Sequence, residues 1–285
     1  IVFVASVFSG MGVLVARFAG ANKPDEVNRT VYQAFLTALF MALVILAPIG
    51  YAVAPFLLEM VNAAPEVQHE ALPYLRMSFL FSVGIIIYFM MSGALRAAGD
   101  ARTPMQLGVA MTVLNIGLNV LLIRGFGPIP AFGTLGAAMG TAIASVLTGV
   151  AFLWLLFTGR LVIQFSRTMS FGIEWSVIRE LFRFGLPTGF QGLVMNIGGI
   201  LLLRFIGSLQ YSAEAQAAYA VGYTELFSFI TWTSVGLMGA TAAIAGQNLG
   251  AGRPDRSARA AMVASAIGIG LACIVGLSFL LVPRA

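Results

Sequence analysis

The stretch Gly20-Ala21-Asn22-Lys23-Pro24-Asp25 recurs 230 residues later as Gly250-Ala251-Gly252-Arg253-Pro254-Asp255. Four of the six positions are identical and a fifth exchanges lysine for arginine, and Arg29 and Arg259 keep the same register. Short loops of this kind can resemble one another by chance, but each copy here follows one apolar segment and precedes another. Self-similarity at a fixed interval is the signature of an internally repeated architecture.

Long apolar segments surround the two copies of this turn. Most of them contain the roughly 20 residues that an α-helix needs to cross a bilayer, and the longer ones imply tilt or kinks. Strands of a membrane barrel would instead alternate in polarity over about 10 residues. The sequence therefore predicts an all-α, polytopic membrane protein with about eight transmembrane helices in this chain. The predicted spans are residues 1–18, 30–57, 71–97, 104–124, 134–158, 175–206, 213–248 and 257–283.

The composition supports a membrane protein. Of the 285 residues, 59% are hydrophobic and 9% are charged, and the mean hydropathy is +0.94. A soluble domain has about 25% charged residues, so these few charges could not cover a water-facing surface. The single cysteine, Cys273, allows neither an intrachain disulfide nor a cysteine-based metal site.

The formal charge of +5 reflects membrane topology rather than a nucleic-acid partner, because the basic residues lie in short loops between apolar runs. Alternate loops hold 12 of the 16 basic residues, and the positive-inside rule places those loops in the cytoplasm. We therefore predict a multi-pass protein of a bacterial-type inner (plasma) membrane. The 12 residues are Arg17, Lys23, Arg29, Arg96, Arg102, Arg160, Arg167, Arg179, Arg183, Arg253, Arg256 and Arg259.

Six predicted spans separate the two turns, so the repeated units share one orientation and are related by an axis along the membrane normal. The predicted division is an N-lobe over residues 1–158, a cytoplasmic linker over 159–174 and a C-lobe over 175–285. A repeat of about 230 residues implies an intact protein with six helices in each lobe. We therefore expect the chain to lack about one helix before its first residue and about three after its last.

Three stretches resemble the multidrug and toxic compound extrusion (MATE) family of the multidrug/oligosaccharidyl-lipid/polysaccharide flippase superfamily. Residues 95–104 (LRAAGDARTP) are similar to the turn between the family's fourth and fifth helices. Residues 114–119 with 133–138 are similar to its fifth and sixth helices, and residues 246–252 (GQNLGAG) to the end of its eighth. The resemblance implies that the chain comprises helices two to nine of such a transporter.

The resemblance also implies a function: secondary active export of multiple drugs and xenobiotics through alternating access of two lobes. Substrates would be small organic, often cationic, compounds exchanged for H+ or Na+, with no cofactor and no nucleic-acid partner, by a monomer in the lipid bilayer. A flippase for lipids or lipid-linked oligosaccharides is the alternative. It would favour several basic residues in the cavity for anionic head groups, and the central part of each predicted span holds none.

Asn115 and Asn119 lie four residues apart, on one face of a helix. Amides within an apolar span need hydrogen-bond partners. They either join helices or form a polar wall of the N-lobe cavity. In part of the family the position of Asn119 is an aspartate that takes part in cation coupling, and the resemblance places Thr141 beside this cluster. The asparagine at 119 removes an ionisable group from the coupling site.

Glu225 is the most informative charge, because it lies well inside the seventh apolar segment with no basic residue near it in sequence. A carboxylate in the membrane is costly unless it is protonated or paired, so it is a candidate for proton exchange or for attracting cationic substrates. The alternative is a glutamate at the membrane interface, since the segment is longer than one span.

Four further residues are candidates for a substrate cavity, and one is a candidate hinge. Pro187 frees a backbone carbonyl and permits a bend in its helix. Gln191 and Asn196, on the same helix, either face the cavity or bond to another helix. Tyr219 and Tyr223 could contribute to an adaptable apolar pocket.

The sequence predicts neither catalytic residues nor a metal site. It contains no His, Cys, Asp and Glu cluster with metal-ligand spacing and no Gly-x-Ser-x-Gly motif. We therefore predict that the protein is not an enzyme.

Overall fold

The computed structural model describes residues 2–60, 65–165, 171–209, 211–219, 221–223 and 228–281. Most of them are helical, and apart from one isolated bridge between Phe126 and Ile129 the described residues form no strand. The prediction of an all-α fold is confirmed. The helices are α1 (Val2–Gly20), α2 (Pro24–Phe40), α3 (Ala47–Met60), α4 (Pro65–Leu80), α5 (Ser82–Ala97), α6 (Arg102–Arg124), α7 (Thr134–Phe157), α8 (Trp175–Gly207), α9 (Ser212–Tyr219), α10 (Ser228–Gly250) and α11 (Pro254–Leu281).

Many of these helices are long and apolar enough to cross a bilayer. Among the described residues, five segments meet this requirement by length and hydropathy alone. The pair α4 and α5 makes a sixth if it acts as one span, and α1 is apolar over the shorter range Ser6–Gly20. Together with α10, they correspond to the predicted apolar segments. The five are Pro24–Met60, Arg102–Arg124, Thr134–Phe157, Trp175–Gly207 and Pro254–Leu277.

Three predicted spans depart from single regular helices. Residues 213–248 were predicted as one span, but their described part comprises α9, the π-helical residues 221–223 and α10. Residues 71–97 were predicted as one span, but the chain bends by 49° between α4 and α5, at Phe81. In the span that comprises α2 and α3, a π-helical segment, Met41–Leu46, joins the two helices. A π-helical segment adds a residue to the turn and shifts the helix face that follows it.

The two copies of the repeated turn adopt the same structure. Asn22 and Gly252 have positive φ angles of 55° and 71°, the left-handed conformation that favours asparagine and glycine at helix ends. Lys23 N donates to Phe18 O at 3.0 Å, and Arg253 N donates to Asn248 O at 2.8 Å. In each copy the N–H of the left-handed residue also donates to the carbonyl three residues earlier, at 3.1 Å, and the two bonds together make a Schellman motif. A proline then begins the next helix, where its missing N–H is not needed.

The chain forms two compact units, Pro24–Arg179 and Ile1–Lys23 together with Glu180–Ala285. The first helix therefore belongs to the same unit as α10, whereas chain order assigns it to the N-lobe. Lobe membership depends on which helices move together, so the division into 1–158, 159–174 and 175–285 stays a prediction.

In the unit that contains α1, helices α1 and α10 meet at their C-terminal ends through reciprocal contacts. Gly20 lies on the backbone of Gln247, and Gly250 lies on the backbone of Arg17, with no room for a Cβ atom at either glycine. In the repeat, Gly250 is the equivalent of Gly20 and Gln247 is the equivalent of Arg17. The two contacts are therefore the same contact with the partners exchanged.

Gly246 of α10 faces Ala16 of α1, which is its own equivalent in the repeat. A Cβ atom on Gly246 would lie 2.6 Å from that of Ala16. Self-equivalent and reciprocal contacts mark a two-fold axis. A local pseudo-two-fold axis therefore runs between α1 and α10, and both repeated turns lie at the same end of this helix pair.

The unit Pro24–Arg179 has its own apolar core. Met90, Met91 and Leu95 of α5 are completely buried, as is Phe152 of α7. Gly84 allows α5 to lie directly on the backbone of α7 at Ser145. Helix α6 also packs against α7 and carries the candidate asparagines.

Candidate functional site

The spacing between α6 and α7 is set by two glycines of α7. Gly136 lies on the carbonyl of Leu122, and Gly140 lies on the side chain of Asn119, so that a Cβ atom at either position would collide with α6. A small-x-x-x-small pattern allows two membrane helices to approach this closely. The close approach also brings Thr141, the residue after Gly140, next to the asparagines of α6.

Asn115, Asn119 and Thr141 form one chain of hydrogen bonds. Asn119 Nδ2 donates to Asn115 Oδ1 at 3.3 Å, and Asn115 Nδ2 donates to Thr141 Oγ1 at 3.1 Å. The three residues predicted to cluster are thus brought together. Asn115 joins α6 to α7, which is the interhelical bond that the sequence left as one alternative.

One acceptor of this hydrogen-bonded cluster has no donor. The Oδ1 atom of Asn119 is buried, and no described residue hydrogen-bonds to it. It is enclosed by Gly140, whose missing side chain makes the room for it. An unpaired buried acceptor costs about 1–3 kcal/mol, which a bound donor or cation would recover.

The chemistry of this cluster is that of neutral ligands. Amide and hydroxyl oxygens can coordinate a cation or accept a hydrogen bond, but these groups do not ionise at physiological pH. The cluster therefore offers neutral oxygen ligands and no group that exchanges a proton at physiological pH.

The other described candidates lie in the compact unit made of Ile1–Lys23 and Glu180–Ala285. Gln191 and Asn196 are exposed on α8, and Asn196 Nδ2 donates to Gly192 O, in its own helix, at 2.7 Å. Pro187 lies inside α8, which continues through it from Trp175 to Gly207. The rings of Tyr219 and Tyr223 are stacked, with centroids 5.0 Å apart and planes 10° apart. Their stack presents a flat aromatic surface.

Glu225 lies outside the described residues, as do its neighbours 224, 226 and 227. Its role therefore stays a prediction.

Gly140 is the site residue that the sequence analysis missed. Its signal was present as the pair of glycines four residues apart, Gly136 and Gly140, which is typical of close helix contacts. What the pattern could not indicate is which side chain of the neighbouring helix would occupy the space.

A family model matches most of the chain. The MatE model matches residues 1–121 and 187–284. The chain belongs to the MatE family. The resemblance stated from the sequence is confirmed.

Curated MatE relatives are similar over most of this chain. A probable multidrug resistance protein, YoeA of Bacillus subtilis (strain 168), is 28% identical over 276 residues, which are 96% of this chain and 58% of that protein. The probable multidrug resistance protein NorM of Thermotoga maritima is 29% identical over 226 residues, 78% of this chain and 47% of that protein. The chain thus spans about half the length of these relatives.

A solved structure shows the same fold. The chain is similar to an outward-facing multidrug resistance MATE transporter of the MOP superfamily, with a TM-score of 0.83 and 22% identity. The match covers 100% of this chain and 62% of that one. It confirms a polytopic helical membrane fold for this MatE chain.

Proposed function

We propose that this MatE chain is part of a secondary active exporter that moves small organic, often cationic, compounds by alternating access of two helical lobes. The observation that carries the proposal is the reciprocal packing of α1 and α10 around a pseudo-two-fold axis. Two like-oriented halves around such an axis can exchange inward-open and outward-open states by rocking. The multidrug resistance names of its relatives support the same function.

Coupling to H+ or Na+ would bias one of the two states, because an ion that binds one state more tightly shifts the population toward it. Asn115, Asn119 and Thr141 would supply neutral oxygen ligands, and the buried Oδ1 of Asn119 supports this role. Glu225 would supply the ionisable carboxylate that the cluster lacks. No cofactor is needed beyond the coupling ion.

Substrate binding would use residues of the compact unit that contains most of α8 and all of α9 to α11. The stacked rings of Tyr219 and Tyr223 offer a π face, which attracts organic cations. Gln191 adds an exposed amide on α8, and Pro187 of the same helix is the hinge predicted from the sequence. We expect the protein to act as a monomer in an inner membrane, with its basic loops in the cytoplasm.

Efflux of a fluorescent organic cation by the full-length protein, in a host without its own pumps, tests this function. The efflux rate is measured with a sodium gradient alone and with a proton gradient alone. We expect one gradient to drive efflux and Glu225→Gln to abolish it. Glu214→Gln is the matched control, because it removes an exposed carboxylate of α9.

Two results would count against the proposal. Wild-type efflux in Glu225→Gln would remove that residue from the mechanism. No efflux of organic cations under either gradient, together with movement of labelled lipids between leaflets, would favour the flippase alternative.

A further inference from the structure

The connection between α7 and α8 is attached to helix α2 at two points. At the first, Asn28 Oδ1 accepts a hydrogen bond from Gln164 N at 2.9 Å. Phe165 is buried beside this bond, and its ring contacts Tyr32 and Phe157 with centroids 5.6 and 5.9 Å apart. The beginning of the connection is therefore part of the apolar core of the unit Pro24–Arg179.

At the second point, Gln33 of α2 holds the backbone just before α8. The side chain of Gln33 is completely buried. Its Nε2 donates to Gly172 O at 2.7 Å, and its Oε1 accepts from Glu174 N at 3.1 Å. One side-chain amide thus satisfies both a carbonyl and an N–H of the connection.

An ion pair reinforces this attachment. The carboxylate of Glu174 meets the guanidinium of Arg29 through two parallel hydrogen bonds, one of them from Nε to Oε1 at 2.6 Å. Bidentate pairs of this kind fix orientation as well as distance. Tyr32 adds a bond from its hydroxyl to Phe171 O at 3.1 Å. We call Asn28, Arg29, Tyr32 and Gln33 the linker clamp.

The clamp fixes the start of α8, because α8 begins at Trp175, immediately after Glu174. Ile178 N, in the first turn, donates to Glu174 O at 3.1 Å. The boundary between the two compact units falls in this helix, between Arg179 and Glu180. The first turn of α8 therefore belongs to the same unit as α2.

The next turn of α8 is held by the other unit. Gly10 of α1 lies on the backbone of Leu181, and Gly185 lies on the backbone of Ser6, with no room for a Cβ atom at either glycine. Between these contacts and the clamp are residues 175–180, of which Trp175, Ser176, Arg179 and Glu180 are exposed.

The internal repeat shows that the clamp is not a requirement of the turn or of the helix after it. At the positions in α11 equivalent to Asn28, Tyr32 and Gln33 stand Ala258, Met262 and Val263. Only the arginine is retained, as Arg259. Helix α11 forms without these three hydrogen-bonding side chains. Of the two helices, only α2, which contacts the connection to α8, has them.

We propose that Arg29 and Gln33 are positioning residues that hold the connection and the start of α8 on the unit Pro24–Arg179 while the transporter changes between its two states. This inference rests on the alternating access proposed above. Neither residue is one of the candidate substrate or ion residues, so we expect the clamp to act on the rate of the conformational step and not on substrate affinity.

Hydrogen exchange of the purified full-length protein tests the attachment without any transport measurement. The probes are the amides of Gln164 and Glu174, whose N–H groups bond to Asn28 and Gln33. In Gln33→Leu, the Glu174 amide is expected to exchange about tenfold faster, as for the loss of one hydrogen bond, while the Gln164 amide is unchanged. Arg259→Ala, which removes the equivalent arginine of the repeat, should change neither. Unchanged exchange of Glu174 in Gln33→Leu would overturn the clamp.

Efflux kinetics test the consequence. We expect Arg29→Ala and Gln33→Leu to lower Vmax by about tenfold with KM unchanged, the pattern of a lost interaction that does not contribute to substrate binding. Adding Glu174→Ala to Arg29→Ala should cause little further loss, because the two residues act as one pair. Normal Vmax in a variant whose Glu174 amide exchanges faster, or a rise in KM alone, would contradict the positioning role. No efflux by the wild type would refute the proposed function, and the exchange result would still decide whether the clamp holds α8.

Discussion

Gly140→Ala tests the packing that holds the asparagine cluster. A Cβ atom at position 140 would collide with the Oδ1 of Asn119 and would also press on its backbone nitrogen, 3.3 Å away. Overpacking of this kind costs about 1–3 kcal/mol. The alanine gains about 1 kcal/mol in helix propensity over glycine, so the net loss is up to about 2 kcal/mol.

Gly117→Ala is the matched control, because Gly117 lies on α6 with no atom within 4 Å of the position that its Cβ would take. It gains the same propensity without the collision. The two variants should therefore differ by about 1–3 kcal/mol in the free energy of unfolding. Denaturant unfolding of the full-length protein in detergent, followed by tryptophan fluorescence, measures this difference.

A third variant separates the collision from other effects. Asn119→Ala removes the Oδ1 atom, so adding Gly140→Ala to it should cost less than Gly140→Ala alone, and the shortfall is the coupling energy of the pair. Equal stability of Gly140→Ala and Gly117→Ala, or strict additivity of the double variant, would refute this view of the site.

Three further predictions concern the repeat and the cluster. At the left-handed Asn22, glycine should be tolerated within a few tenths of a kcal/mol, while Asn22→Val should destabilise the protein by about 1–2 kcal/mol; equal unfolding midpoints would contradict this. Gly20→Ala and Gly250→Ala should each destabilise by about 1–3 kcal/mol and by similar amounts, because they disturb equivalent contacts, and unfolding curves that differ widely would argue against the pseudo-symmetry. Asn119→Asp restores an ionisable group beside Asn115 and Thr141, and we expect efflux to respond more strongly to the coupling cation; an unchanged response would exclude position 119 from coupling.

Sequence reasoning predicted the spans well, because apolar length alone determines which segments can cross a bilayer. The repeated turn was also predictable, since proline at the start of a helix and glycine or asparagine at the end of one are local signals. The bend at Phe81 was not, because neither glycine nor proline stands at that position.

The site was predictable only where local helical geometry determines it. Asn115 and Asn119 are four residues apart, and their shared helix face follows from helical geometry. The orphaned Oδ1 of Asn119 depends on Gly140, and the clamp joins Arg29 to Glu174 across 145 residues. Charged and amide side chains have many possible partners, and only the fold selects one of them.

The sidedness of the two turns is the most direct test of a transporter built from two like-oriented halves. Single cysteines replace Asn22 or Gly252 in the full-length protein, with Cys273 and any other cysteine removed, and a membrane-impermeant maleimide is applied to vesicles of known orientation. We predict that both positions are labelled in inside-out vesicles and that both are protected in right-side-out vesicles. Labelling of the two positions from opposite sides of the membrane would contradict the like orientation of the halves.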